Sequence, residues 1–94
     1  MQIVGRKVLH DIMRQHADVR KAVEAWMCEV EDAEWKSPQD IKERYPSASV
    51  LSDNRVIFNV KGNRYRIEVK ISYRNKVLLI KRAGTHAEYS RWKL

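Results

Sequence analysis

Five side chains toward the C-terminus have the types and spacing to act on a phosphodiester: Arg66, Lys70, Arg82, His86 and Tyr89. An imidazole exchanges protons near neutral pH. Guanidinium and ammonium groups stabilise the charge that builds on a phosphate in its transition state. A tyrosine stacks on an unpaired base or donates a proton. Arg66 and Lys70 lie four residues apart in an alternating segment, so both project from one face of one strand. Arg82 sits near the end of the next strand, just before Gly84-Thr85-His86. A hairpin brings the start of the first strand beside the end of the second, placing Arg66 close to Arg82 and His86. Thr85 and Glu88 are spaced as a capping box, which puts His86 in the first turn of a last helix and Tyr89 on a similar face. That end of a helix suits a neutral ring and a phosphate. Plainer roles stand beside these: His86 closing the helix start, Tyr89 packing on the sheet, and Arg66–Glu68–Lys70 forming a surface ion-pair ladder.

The charge distribution points to the same part of the chain. From Asn54 onward eleven basic residues face only Glu68 and Glu88, a net of +9, whereas residues 1–53 carry eight against ten, a net of −2. One surface is therefore suited to a polyanion. Lys61, Arg64, Arg74 and Lys81 are candidates for RNA phosphate contacts, with Lys76, Arg91 and Lys93 as further non-specific ones. Asn59 and Asn63 are weaker RNA-binding candidates, since asparagine near glycine is commonly a turn residue.

These residues need a scaffold, and the periodicity supplies one. Gln2-Ile3-Val4 reads as a short strand, and Leu9, Ile12, Met13 and His16 mark a first helix. Asp18 is placed to cap a second helix, whose stripe is Val19, Ala22, Val23, Trp26, Met27, Val30 and Ala33. Cys28 falls opposite that stripe as a partly exposed thiol. Ser37-Pro38-Gln39-Asp40 starts a third helix, with Ser37 as cap, that ends near Tyr45-Pro46. Residues 49–51, 55–60, 64–73 and 76–83 read as strands, joined by turns at Asp53-Asn54, Gly62-Asn63 and Arg74-Asn75. In the longest strand Tyr65, Ile67, Val69, Ile71 and Tyr73 face the helices. Arg66, Glu68, Lys70, Ser72 and Arg74 form an opposite, cationic face. Trp26, Met27 and Trp35 belong to the core; His10 and His16 are structural. The fold class is α+β in one domain, 1–94. No apolar run approaches the roughly 20 residues of a membrane span, and no secretory signal begins the chain. A single cysteine excludes an internal disulfide framework, no His/Cys spacing suggests a metal, and the expected compartment is the cytoplasm.

Tyr45-Pro46-Ser47-Ala48, Phe58-Asn59-Val60, Gly62-Asn63-Arg64-Tyr65-Arg66 and Gly84-Thr85-His86-Ala87-Glu88-Tyr89 occur here in order, with Trp35-Lys36-Ser37-Pro38 before them. Together they resemble the HigB family of bacterial toxins, within the RelE-like superfamily of toxin–antitoxin systems. The resemblance implies a small curved antiparallel sheet with N-terminal helices packed on one face and a short C-terminal helix. It also implies a ribosome-dependent mRNA endonuclease that needs no cofactor and halts translation. The implied partners are the ribosome, mRNA and a HigA-type antitoxin with a helix-turn-helix domain; DNA is met only through that antitoxin, and no membrane is involved. Relatives often continue beyond the His-Ala-Glu-Tyr segment, whereas this sequence stops at Leu94.

Metal-free RNA cleavage turns the ribose 2′-hydroxyl on the adjacent phosphate, leaving a cyclic phosphate and a free 5′-hydroxyl. It requires proton transfer and cations on the phosphorane-like transition state. His86, Arg66, Arg82, Tyr89 and Lys70 are the catalytic candidates, with the division between base and acid left open. A non-catalytic RNA- or ribosome-binding module that blocks translation by occupancy is the alternative. A DNA-binding regulator fits the charge but lacks a recognition helix. A classical hydrolase is disfavoured by the absence of a nucleophile elbow, metal motif or phosphate loop.

Overall fold

A computed structural model describes residues 1–93. The elements are β1 (Gln2–Val4), α1 (Arg6–Gln15), a 3₁₀ turn (Ala17–Val19), α2 (Arg20–Asp32), α3 (Pro38–Arg44), β2 (Ser49–Val50), β3 (Arg55–Val60), β4 (Tyr65–Ser72), β5 (Val77–Thr85) and α4 (His86–Tyr89). The sheet order is β1-β5-β4-β3-β2. β2 to β5 form the expected antiparallel meander, but β1 pairs parallel with β5, so the sheet is mixed. The parallel pair is possible because α1, α2 and the meander intervene, far more chain than a hairpin provides.

The core lies between the helices and one sheet face. Leu9, Ile12 and Met13 of α1 and Val23, Trp26, Met27 and Val30 of α2 meet Val56, Phe58, Val60, Ile67, Val69, Ile71, Leu78 and Ile80. Phe58 is its aromatic centre, 5.2 Å from Trp26, 6.0 Å from Trp35 and 5.2 Å from Tyr45 between ring centroids. The Tyr45 hydroxyl donates to Glu29, which Arg44 also holds. Burial, then the neighbouring carboxylate, pushes that phenol well above its ordinary range. Cys28 is exposed, as the helical phase predicts.

Two expected caps are made differently. Asp18 does not cap α2, which begins at Arg20 with no side-chain cap. Its carboxylate instead accepts from Lys61 Nζ at 3.0 Å and Tyr65 Oη at 2.9 and 3.1 Å, tying the α1–α2 connection to the β3–β4 turn. Ser37 makes no capping bond either; Asp40 reaches back to the Lys36 N–H at 2.8 Å. In the β3–β4 turn the left-handed pair is Lys61-Gly62, one residue earlier than expected. Asp53 and Asn54 are both left-handed, as their turn requires.

The open sheet face departs most from expectation. Glu68 is 3% exposed and Arg66 8%, so the middle of this face is not a solvated cationic surface. A bulge explains part of this. Val69 pairs with Ile80 but Glu68 pairs with Arg82, leaving Lys81 over. Leu78 and Ile80 point into the core, so strict alternation would send Arg82 inward too. The extra residue turns Arg82 to the open face beside Glu68.

Candidate active site

Arg66 and His86 come together at the end of the sheet where β4 begins and β5 runs into α4. Arg66 is registered opposite Gly84, two residues before His86. The β3–β4 turn cradles both residues. The Asn63 carbonyl accepts from Arg66 Nη1 at 2.7 Å, and the Arg64 carbonyl accepts from the His86 N–H at 2.8 Å. With Nη1 fixed, Nη2 reaches His86 Nδ1 at 3.2 Å. A guanidinium only donates, so Nδ1 is the acceptor and the neutral ring carries its proton on Nε2.

The capping box forms as the spacing predicts. Thr85 Oγ1 accepts from the Glu88 N–H at 3.2 Å, and Glu88 accepts from the Thr85 N–H at 2.9 Å. The Thr85 N–H is the main reason the Glu88 carboxyl lies below the ordinary carboxylate range. α4 is a single turn of four residues, so its dipole is slight and Arg66 sets the His86 ring. Tyr89 lies 6.4 Å from His86 between centroids, and the Arg66 guanidinium sits 5.0 Å over the Tyr89 ring.

Arg82 stands beside this group. Its Nε donates to Glu68, its guanidinium lies 4.5 Å over Trp92, and Nη2 reaches the Lys93 carbonyl at 3.4 Å. Glu68 also pairs with Arg55 at 3.7 Å. The Arg66–Glu68–Lys70 ladder, the plainer alternative for these residues, is therefore not formed among the described residues: Glu68 bridges across strands, not along one.

Lys70 is not brought to the group. It lies four residues along β4 from Arg66, roughly 13 Å at the usual strand rise, and is paired with Asp53 at 3.0 Å. Among the RNA-binding candidates, Arg64 and Asn63 are exposed on the turn whose carbonyls hold the site, Lys81 is exposed at the bulge, and Arg74 on the β4–β5 turn. Lys61 is tied to Asp18, and Asn59 Nδ2 donates to the Ser47 carbonyl at 3.0 Å. Two members were not anticipated, Trp92 and the buried Glu68. The signal for Trp92 was its position three residues beyond Tyr89 and six beyond His86.

Among the described residues no helix is long and apolar enough to cross a membrane, and no group of three or more His, Cys, Asp or Glu is placed to hold a metal ion.

The HigB toxin family model, described as a RelE-like toxic component of a toxin–antitoxin system, matches residues 19–92. That span includes every residue of the Arg66–His86–Tyr89–Arg82 group. The chain is 24% identical over 91 residues to the mRNA interferase toxin HigB of Escherichia coli K12, covering 95% of this chain and 88% of that protein. It matches the mRNA interferase HigB of Escherichia coli O157:H7 and that of Shigella flexneri to the same extent. With the family model spanning α2 through α4 and the site they frame, the chain belongs to the HigB family of RelE-like toxins of toxin–antitoxin systems.

Proposed function

We propose that this toxin is an mRNA interferase, a metal-independent endoribonuclease that cuts mRNA on translating ribosomes and so stops protein synthesis. The observation that carries the proposal is the Arg66–His86 contact beside Tyr89, a cation, a proton carrier and a stacking ring at one end of a basic sheet. The relatives named as mRNA interferases support it.

The nucleophile is the RNA's own 2′-hydroxyl, so the protein's task is to position the phosphate and stabilise its transition state. Arg66, with Arg82 beside it, supplies positive charge to the phosphorane oxygens. His86 offers Nε2–H as a hydrogen-bond donor to a phosphate oxygen, while the 2′-hydroxyl proton leaves to solvent water and the departing 5′-oxygen takes one from it. Its Nδ1 lone pair is held by Arg66, which orients the ring for that hydrogen bond. Tyr89 stacks on an adjoining base. Lys70, held by Asp53 at the far end of β4, acts as a phosphate contact outside the reacting centre. An antitoxin of the HigA type, with a helix-turn-helix domain, restrains the toxin in the cytoplasm and brings it to DNA only indirectly.

Primer extension on a reporter mRNA, with and without translating ribosomes, tests this reading. New 5′ ends confined to the translating sample are expected. Intact mRNA with stalled translation would overturn it in favour of blockade by occupancy.

A further inference from the structure

Beyond His86 and Tyr89 the chain continues in the same helical sense. The Ser90, Arg91 and Trp92 N–H groups donate to the His86, Glu88 and Tyr89 carbonyls at 3.1, 3.0 and 3.0 Å. Residues three apart then share a side, so His86, Tyr89 and Trp92 form a row of rings. Their centroids are 6.4 Å apart in the first step and 5.5 Å in the second. The row is matched by arginines from two neighbouring strands. Arg66 of β4 covers Tyr89, and Arg82 of β5 covers Trp92 at 4.5 Å. The pairing is thus repeated one step along the row.

Trp92 has no share in the core that encloses Trp26 and Trp35. It is half-buried and lies over Gly84 on the open face, and a Cβ on Gly84 would stand 3.2 Å from the Trp92 ring. Glycine there lets the indole lie close to the strand. Arg82 is itself aimed at Trp92 by buried Glu68, so the pair is set by the sheet and not by the chain end alone. A fixed indole beside a fixed guanidinium, among cations and one step from a proton-carrying histidine, is a platform for a flat ring attached to phosphate.

We infer that Trp92 and Arg82 form a second stacking position, which takes an unpaired nucleobase of the mRNA flanking the base held at Tyr89. The inference rests on the proposed mRNA interferase activity. It makes Trp92 a binding residue for one nucleotide beside the scissile bond, not a participant in the chemistry.

The test uses the full chain and ribosomes programmed with a defined mRNA, either intact or abasic at one of the nucleotides adjoining the cleavage position. Cleavage is followed against enzyme concentration for the wild type and for Trp92→Leu. On intact mRNA, Trp92→Leu should raise the half-saturating concentration about tenfold and leave the saturated rate unchanged. One abasic mRNA should weaken the wild type to the same degree and leave Trp92→Leu unaffected. Equal half-saturation for both proteins on intact mRNA, or an abasic effect identical in the two, would overturn the inference. Should Trp92→Leu fail to fold, the wild type alone decides: indifference to every abasic position would overturn stacking. Absence of cleavage by the wild type on intact mRNA would instead remove the interferase reading, and this inference with it.

Discussion

Arg66 and His86 are 20 residues apart in the chain, yet Nη2 of the arginine lies 3.2 Å from Nδ1 of the histidine. The same guanidinium holds the Asn63 carbonyl and covers the Tyr89 ring, so one planar cation organises three parts of the site. Lysine keeps the charge but has no fork with which to hold Asn63 and His86 together. Arg66→Lys should therefore reduce mRNA cleavage at least about tenfold, given roughly 1.5–3 kcal/mol for a charged hydrogen bond. Single-turnover cleavage on translating ribosomes measures this, with ribosome binding retained.

Glu68 is buried between Arg82 and Arg55 at the middle of the open face. Glu68→Ala removes the carboxylate both arginines share. The loss should be about 1–3 kcal/mol, below the figure for a fully buried pair because Arg82 stays partly open to solvent. Thermal unfolding should show a fall of several degrees, with Glu68→Gln, which keeps an acceptor, falling less.

Acid should weaken the contacts that Glu88 and Asp18 make. The Glu88 carboxyl is held below its ordinary value chiefly by the Thr85 N–H, and the Asp18 carboxyl chiefly by Lys61, then Tyr65. Groups with depressed folded values contribute stability in full above the unfolded value, near about 4. That contribution is lost as pH falls through the folded value. Stability should be flat near neutrality on account of these two groups and decline below about pH 4. Thr85→Ala should cost about 1 kcal/mol at neutral pH, the usual cost of losing an N-cap hydroxyl. Glu88→Gln, which keeps an acceptor for the Thr85 N–H but removes the titrating carboxyl, should flatten the acid decline, read as unfolding free energy against pH.

The sequence revealed the site unevenly, for physical reasons. Arg66 could be set beside His86 because a tight antiparallel hairpin leaves little freedom in which residues meet, and because a capping box fixes where the last helix begins. Arg82 could not be given a face, since a β-bulge adds one residue without leaving a mark in the alternation. Glu68 read as a surface residue because composition does not show that β4 is central in the sheet. Lys70 shared a face with Arg66, but a shared face does not shorten the four residues of strand between them. Asp18 looked like a cap because capping is local, whereas its partners Lys61 and Tyr65 are more than forty residues away. The parallel pairing of β1 is likewise long-range and follows from no local pattern.

Phe58 is fully buried where Trp26, Trp35 and Tyr45 converge, so it joins α2, the α2–α3 connection and β3. Phe58→Ala should cost about 3–5 kcal/mol, a large share of the roughly 5–15 kcal/mol that holds a domain folded. Urea unfolding should show the midpoint falling by a correspondingly large fraction. Trp35→Phe, which keeps an aromatic ring, should change it far less.

The central claim is that His86, set by Arg66, takes part in cutting mRNA. The most direct test adds wild-type or His86→Ala protein to a translating extract and maps reporter 5′ ends by primer extension, with ribosome cosedimentation followed in parallel. His86 is exposed, so the variant should fold and bind ribosomes like the wild type while producing no new 5′ ends. Wild-type levels of new ends from the variant would contradict the account and move the chemistry elsewhere on the protein.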